Sequence, residues 1–217
     1  MRQKEVISAE SEWIEKNIRE FSGSPFDRIG SEWMLITAGD VQGDKGNWNT
    51  MTASWGGLGV LWKKDVAFIF IRPSRHTFGF VNKTDVFTLS FFGESCRDAL
   101  NLCGVKSGRD TDKALASGLT PVYFSEGPIA GAVSFKEARD IIICKKIYTQ
   151  DLDPSLFLDA EIEKNYNGSD YHRMYIGEII GYRSRQNMTF PSLWAYSRLI
   201  LPTPSHALSW YGARRIR

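Results

Sequence analysis

Three stretches of this 217-residue chain gather side chains that could do chemistry. The first is Asn49-Thr50-Met51-Thr52-Ala53-Ser54-Trp55-Gly56-Gly57. Small hydroxyl residues stand there beside glycines, which let main-chain N–H and C=O groups come close to a flat polar ligand. A strand ending in a glycine bulge has the same composition. The second is Arg72-Pro73-Ser74-Arg75-His76-Thr77, directly after the apolar run Val66 to Ile71. Two guanidiniums supply forked donors and two hydroxyls add neutral ones, a set that coordinates phosphate. A solvated strand-to-helix corner with Thr77 as the N-cap reads the same way. The third, Cys103 to Lys113, is a basic, glycine-containing loop that closes over an anionic ligand or forms a solvated face.

Other chemistries lack their signatures. Gly56-Gly57-Leu58-Gly59-Val60 misses the last glycine of a dinucleotide fingerprint, and no helix pattern follows it. P-loop, H-E-x-x-H and G-x-S-x-G patterns are absent, and His76, His172 and His206 are too scattered for a metal site. Hydrolysis is therefore unsupported.

The elements that must position these stretches are mostly strands. Trp33 to Ala38, Met51 to Trp55, Val66 to Arg72, Val86 to Phe92, Ile141 to Tyr148 and Met174 to Ile180 are short runs rich in β-branched or aromatic residues. The turn formers of Gly39 to Asn47 join the first two as a hairpin. Trp13, Ile14, Ile18 and Phe21 recur at near-helical spacing and predict an amphipathic helix over 9–21. Arg97 to Cys103 reads as a second helix, and Ser134 to Arg139 is ambiguous. The fold class is mainly β, a barrel with short flanking helices, because long helices between the strands are missing.

In their order along the chain, these segments resemble the flavin reductase-like proteins with an FMN-binding split barrel, close to the flavoredoxin branch. The resemblance runs from Ile29-Gly30-Ser31-Glu32-Trp33 through the first two stretches above. It continues through Gly104-Val105-Lys106-Ser107-Gly108-Arg109-Asp110, Gly118-Leu119-Thr120-Pro121 and Asp170-Tyr171-His172-Arg173-Met174-Tyr175. It implies about six antiparallel strands in a Greek-key-like split barrel and a homodimer with flavin sites near the subunit interface. It also implies non-covalent FMN rather than FAD, with NAD(P)H as co-substrate. On that basis Asn49, Met51, Thr52, Ala53, Ser54 and Trp55 line the flavin ring. Arg72, Pro73, Ser74, Arg75 and Thr77 hold its ribityl chain and phosphate, and Lys113 reaches the phosphate or ring. Tyr171 and His172 shape the nicotinamide side. No catalytic residue is assigned, since electron transfer between two bound cofactors needs proximity and orientation rather than a protein acid or base. The activity implied is an oxidoreductase passing electrons from NAD(P)H to a flavin, ferric or protein acceptor. A flavoredoxin-like electron carrier and a non-catalytic flavin-binding module are the alternatives.

Composition sets the boundaries. The polar start Met1-Arg2-Gln3-Lys4-Glu5 offers no signal-peptide core, and the longest apolar run is too short to cross a bilayer. Three cysteines without a C-x-x-C pair fit a reducing, cytoplasmic setting, with Cys103 either redox-active or a buried structural thiol. The net charge is +2, yet residues 183–217 hold six arginines and no lysine or acid, leaving −4 on the first 182 residues. No nucleic acid or membrane partner is expected of that body. The chain divides into a lead-in over 1–24, the barrel over 25–182 and an arginine-rich tail over 183–217. The tail is either a non-native extension or an arm that contacts nucleic acid or an anionic surface.

Overall fold

Alternation of side chains along paired strands sorts this chain into an inside and an outside. A computed structural model describes residues 13–40 and 47–185. The strands are β1 (Trp13–Glu15), β2 (Met34–Asp40), β3 (Asn47–Ala53), β4 (Gly56–Leu61), β5 (Lys64–Ile71), β6 (Val86–Phe91), β7 (Pro121–Tyr123), β8 (Val133–Phe135), β9 (Asp140–Asp151) and β10 (Arg173–Arg185). Three helices intervene: α1 (His76–Lys83), α2 (Arg97–Val105) and α3 (Lys113–Ser117). Eight strands form one antiparallel sheet in the order β3-β2-β6-β9-β10-β5-β4, with β1 added alongside β10, and β7 pairs β8 separately.

The period of two is visible in the packing. Met34, Ile36 and Ala38 of β2 join Ile142 and Cys144 of β9 and Phe87 and Leu89 of β6 in one core. Their neighbours Leu35, Ile141 and Ile143 face the other way, into a second core under α2 and the β7–β8 pair. Polar residues on these buried strands are satisfied. Thr37 and Thr50 share a hydroxyl–hydroxyl bond of 2.8 Å, Thr88 donates to the Val133 carbonyl at 2.6 Å, and Ser90 meets Ser134 at 2.8 Å. Arg28 reaches in to pair with Asp140, which also accepts the Tyr182 hydroxyl at 2.8 Å.

The mainly β class and the six strands expected from the sequence are all present, and the main sheet gains two more. One is β4, whose Gly56, Gly57 and Gly59 hide its strand character. The other is β1, where a helix was expected. Trp13 lies in the strand and donates its indole N–H to the Ala138 carbonyl at 3.0 Å, while Ile18 starts a single 3₁₀ turn. The helical spacing of its apolar residues is coincidental, because Trp13 packs in the second core and Ile18 and Phe21 against the first. Residues 9–12 of that expected helix lie outside the described residues. Strands β2 and β3 pair antiparallel down to Asp40 and Asn47, as the expected Gly39 to Asn47 hairpin requires, and residues 41–46 of its loop lie outside the described residues. The ambiguous Ser134 to Arg139 segment contributes to β8. No helix among the described residues is long and apolar enough to cross a membrane.

The long β10 carries β5 and β1 on one side and β9 on the other, with irregular register at Ile176/Gly177 and Ile179/Gly181. A Cβ on Gly177 would stand 2.6 Å from Phe87 Cζ and 2.7 Å from Cys144 Cβ. Replacing Gly177 by Ala is therefore expected to overpack the first core and cost about 1–3 kcal/mol, read as a lower urea midpoint with unchanged m-value. An unaltered midpoint would show that β10 does not need this close approach.

Candidate functional site

The two edge strands of the main sheet, β3 and β4, are consecutive in the chain and joined only by Ser54 and Trp55. The sheet therefore curls until one edge strand runs directly into the other through Ser54 and Trp55, and no hydrogen-bonded ladder closes the seam between the two edges. On β3 the Thr50 carbonyl accepts from Lys113 Nζ at 2.7 Å and from Asn49 Nδ2 at 3.3 Å, so it faces away from β2. Alternation puts the main chain of Thr52 on this outer side and that of Ala53 toward β2.

A cleft of about 190 Å³ opens at the seam, lined by Thr52, Ser54, Trp55 and His172. It shares Met51, Arg72 and Arg75 with a neighbouring cleft of about 370 Å³. Trp55 is half-exposed, and its ring lies 5.1 Å from that of His172. The imidazole is buried, and its Nδ1 shares a 2.9 Å bond with the Tyr166 hydroxyl. Burial first, and then the Arg72 charge, push its pKa down to about 4, so the ring is neutral near pH 7.

The second cleft is the cationic end. Strand β5 stops at Ile71, Pro73 sets the turn, and α1 begins at His76 with Arg75 in extended conformation as its N-cap. Arg72, Arg75, Lys106, Arg109 and Lys113 all line this cleft. Main-chain carbonyls hold four of them in place. Arg72 donates to Asn165 at 2.7 Å, Arg75 to Gly104 at 3.1 Å, Arg109 to Ser74 at 3.2 Å and Lys113 to Cys103 at 2.8 Å. Neutral carbonyls position these cations without cancelling their charge. Burial, then Arg109 and Lys113, hold the pKa of His76 below its ordinary value, a mark of the positive field. Burial likewise lowers that of Lys113. The loop after α2 comes so close that a Cβ on Gly108 would lie 1.9 Å from Asn49 Oδ1, so only glycine fits there.

Of the residues expected from the sequence, Met51, Thr52, Ser54, Trp55, Arg72, Ser74, Arg75, Thr77 and Lys113 line this double cleft. Three do not. Asn49 is buried and donates to the Thr77 hydroxyl at 2.7 Å, bracing β3 against α1. Ala53 is packed in the first core beside Met34. Pro73 lines a third cleft of about 480 Å³ with Phe78 and Phe80, which shares Arg75, His76 and Arg109 with the cationic cleft. Thr77 sits one residue inside α1 rather than at its N-cap. Tyr171 turns its hydroxyl to Glu163 at 2.8 Å, away from both clefts, whereas His172 lines the seam. Lys106, Arg109 and Asp170 were not singled out individually, although the basic loop and the Asp170-Tyr171-His172 run both pointed to them. Cys103 is buried with its pKa raised, chiefly by burial, which makes it a structural thiol rather than a reactive one.

Solved structures share this architecture. A flavoredoxin of Desulfovibrio vulgaris (Miyazaki F) is similar at 19% identity and a TM-score of 0.54, covering 80% of this chain and 78% of that one. A flavoredoxin from Methanosarcina acetivorans matches at 19% identity and a TM-score of 0.53 over 71% and 69% of the two chains. An FMN-binding domain of a flavin reductases-like enzyme from Shewanella baltica OS155 matches at 13% identity and a TM-score of 0.55 over 80% and 77%. These likenesses make the fold a split barrel of the FMN-binding kind. The family model of the flavin reductase like domain matches residues 26–199, most of the chain, and the protein belongs to that family. No curated protein matches the sequence. The match runs past residue 182, the expected end of the barrel, and β10 continues to Arg185. The remainder of the expected tail lies outside the described residues.

Neutral His172 has a consequence for stability. Its folded pKa of about 4 lies below the usual value, so the unfolded chain takes up a proton first as pH falls. The stability present above pH 6.5 is therefore lost between there and about pH 4, amounting to roughly 2 kcal/mol by pH 5. Urea unfolding at pH 7.5 and pH 5 should show this loss in the wild type and not in His172→Gln. Equal pH dependence of the two proteins would contradict it.

Proposed function

We propose that the double cleft binds FMN non-covalently and that the protein is an oxidoreductase of flavin reductase type. In this reading it takes electrons from NAD(P)H and passes them to a flavin, ferric or protein acceptor. The observation that carries the proposal is continuity. A seam with exposed main chain and an aromatic wall runs through Met51, Arg72 and Arg75 into a cleft lined by five cations.

The donor chemistry fits the cofactor. Trp55, His172 and Met51 give a ring its walls, and the main chain at Thr52 and Ser54 offers hydrogen bonds to a polar ring edge. A monophosphate terminus suits a cleft whose cations gather at one end, where Arg75, Lys106 and Arg109 provide charge-assisted donors. When bound, FMN supplies the electron-transfer chemistry itself. The chain contributes position and electrostatics. His172, held neutral, adds no proton at the seam, and the buried Lys113 fixes β3 to α2 through its two carbonyl partners.

Trp55 is half-exposed, and in this reading the second substrate reaches the flavin from that solvent side. Val60 and Trp62, at and just beyond the end of β4, are also exposed. This exposed apolar strand edge supports the homodimer reading, in which a second copy of the chain covers it, because an uncovered apolar edge is a liability.

The test is an absorbance titration of purified protein with FMN, followed by anaerobic NADPH and then NADH. The expected result is a bound-flavin spectrum that bleaches with one or both nucleotides. Flavin that bleaches with dithionite but with neither nucleotide would replace the reductase by a carrier or binding module. Absence of flavin uptake would overturn the cofactor assignment.

A further inference from the structure

Ser74 already gives both of its donors to an anion. Its main-chain N–H donates to Asp170 Oδ1 at 2.9 Å and its hydroxyl to Asp170 Oδ2 at 2.6 Å. The Arg72 guanidinium stands 4.0 Å from the same carboxylate. Asp170 is the one acidic side chain among the described residues that line the cationic cleft, and it faces five cations there. It sits on a turn at φ +59°, two residues after Gly168 at φ +78° and just before β10. An oxyanion held by a main-chain N–H, a hydroxyl and a nearby guanidinium is in the setting that a phosphate seeks.

We propose that Asp170 is an internal stand-in for the ligand's phosphate and sets how strongly the cleft prefers phosphorylated flavins. The inference rests on the flavin reading of the cleft and deepens it. In the free protein Asp170 occupies the Ser74 donors. An entering phosphate either displaces the carboxylate, losing two hydrogen bonds and rearranging the turn, or binds beside it against like-charge repulsion. Both routes subtract from the gain that the five cations give to a phosphate. Neither route touches riboflavin, which carries the ring and the ribityl chain without the phosphate. Asp170 thus narrows the affinity gap between FMN and riboflavin.

Asp170→Asn isolates the charge. Asparagine tolerates the left-handed backbone, and its carbonyl oxygen still accepts the Ser74 N–H. Dissociation constants for FMN and riboflavin are measured by calorimetry on wild type and variant, with near-ultraviolet circular dichroism to check the fold. The expected result is FMN binding tightened by at least about tenfold with riboflavin changed by no more than about twofold. Asp170→Gly, which also suits the positive φ, gives a second measurement that does not depend on the asparagine side chain and is expected to raise the FMN-to-riboflavin affinity ratio in the same direction. A wild type that binds both flavins, with variants whose FMN affinity is unchanged or weaker, overturns the inference alone. A wild type that binds neither flavin overturns the cofactor reading and the inference with it.

Discussion

The structure depends on a sheet whose two edges are consecutive in the chain. Strand edges carry unpaired N–H and C=O groups that must find partners, and a closed barrel removes them by pairing first strand to last. Here β3 and β4 meet through Ser54 and Trp55 without completing the ladder. The cost of an open edge is offset locally. The Thr50 carbonyl takes the Lys113 ammonium, and the Thr52 hydroxyl donates to the Leu100 carbonyl of α2. What remains is a short length of exposed main chain beside an aromatic ring, a place for a planar ligand with a polar edge.

The same economy holds the cations. Five basic side chains in one cleft repel each other, and burial adds a desolvation cost that lowers the pKa of Lys113. Carbonyl oxygens at Gly104, Asn165, Ser74 and Cys103 position four of them, and the Asp170 carboxylate is the single opposing charge on the described lining. The cleft is thus poised for an anion before one arrives. Asn49 shows how tightly the two ends are coupled. Its carboxamide links β3 to Thr77 in α1, and its oxygen lies where a side chain on Gly108 would intrude. One buried residue therefore fixes the spacing between β3, α1 and the loop after α2.

Much of this was readable from the residues. Runs rich in β-branched and aromatic residues gave six of the strands, because such side chains suit a pleated sheet packed on one face or, as in β6 and the start of β9, on both. The Arg72 to Thr77 turn and the Thr52 to Trp55 segment stand out in the sequence as polar and glycine-rich stretches beside apolar strands, and most of their residues line the two clefts. The misses share a cause, tertiary context. Trp13 and Ile18 have helical spacing but pack in different cores, and β4 has little propensity of its own yet pairs fully with β5. Asn49, Ala53 and Pro73 belong to the same segments but do not line the two clefts, since direction along a strand or turn is set by pairing that sequence spacing does not display. Asp170 carried a clue in its motif, but its bond to Ser74 spans nearly a hundred residues.

The central claim is that the seam between β3 and β4 and the cleft beyond it are one binding site. The most direct measurement is a crystal structure of the protein grown with FMN. The account predicts the flavin ring against Trp55 and the main chain of Thr52 and Ser54, with the phosphate among Ser74, Arg75 and Arg109. A flavin found elsewhere, for instance in the cavity beside Phe78 and Phe80, would contradict it.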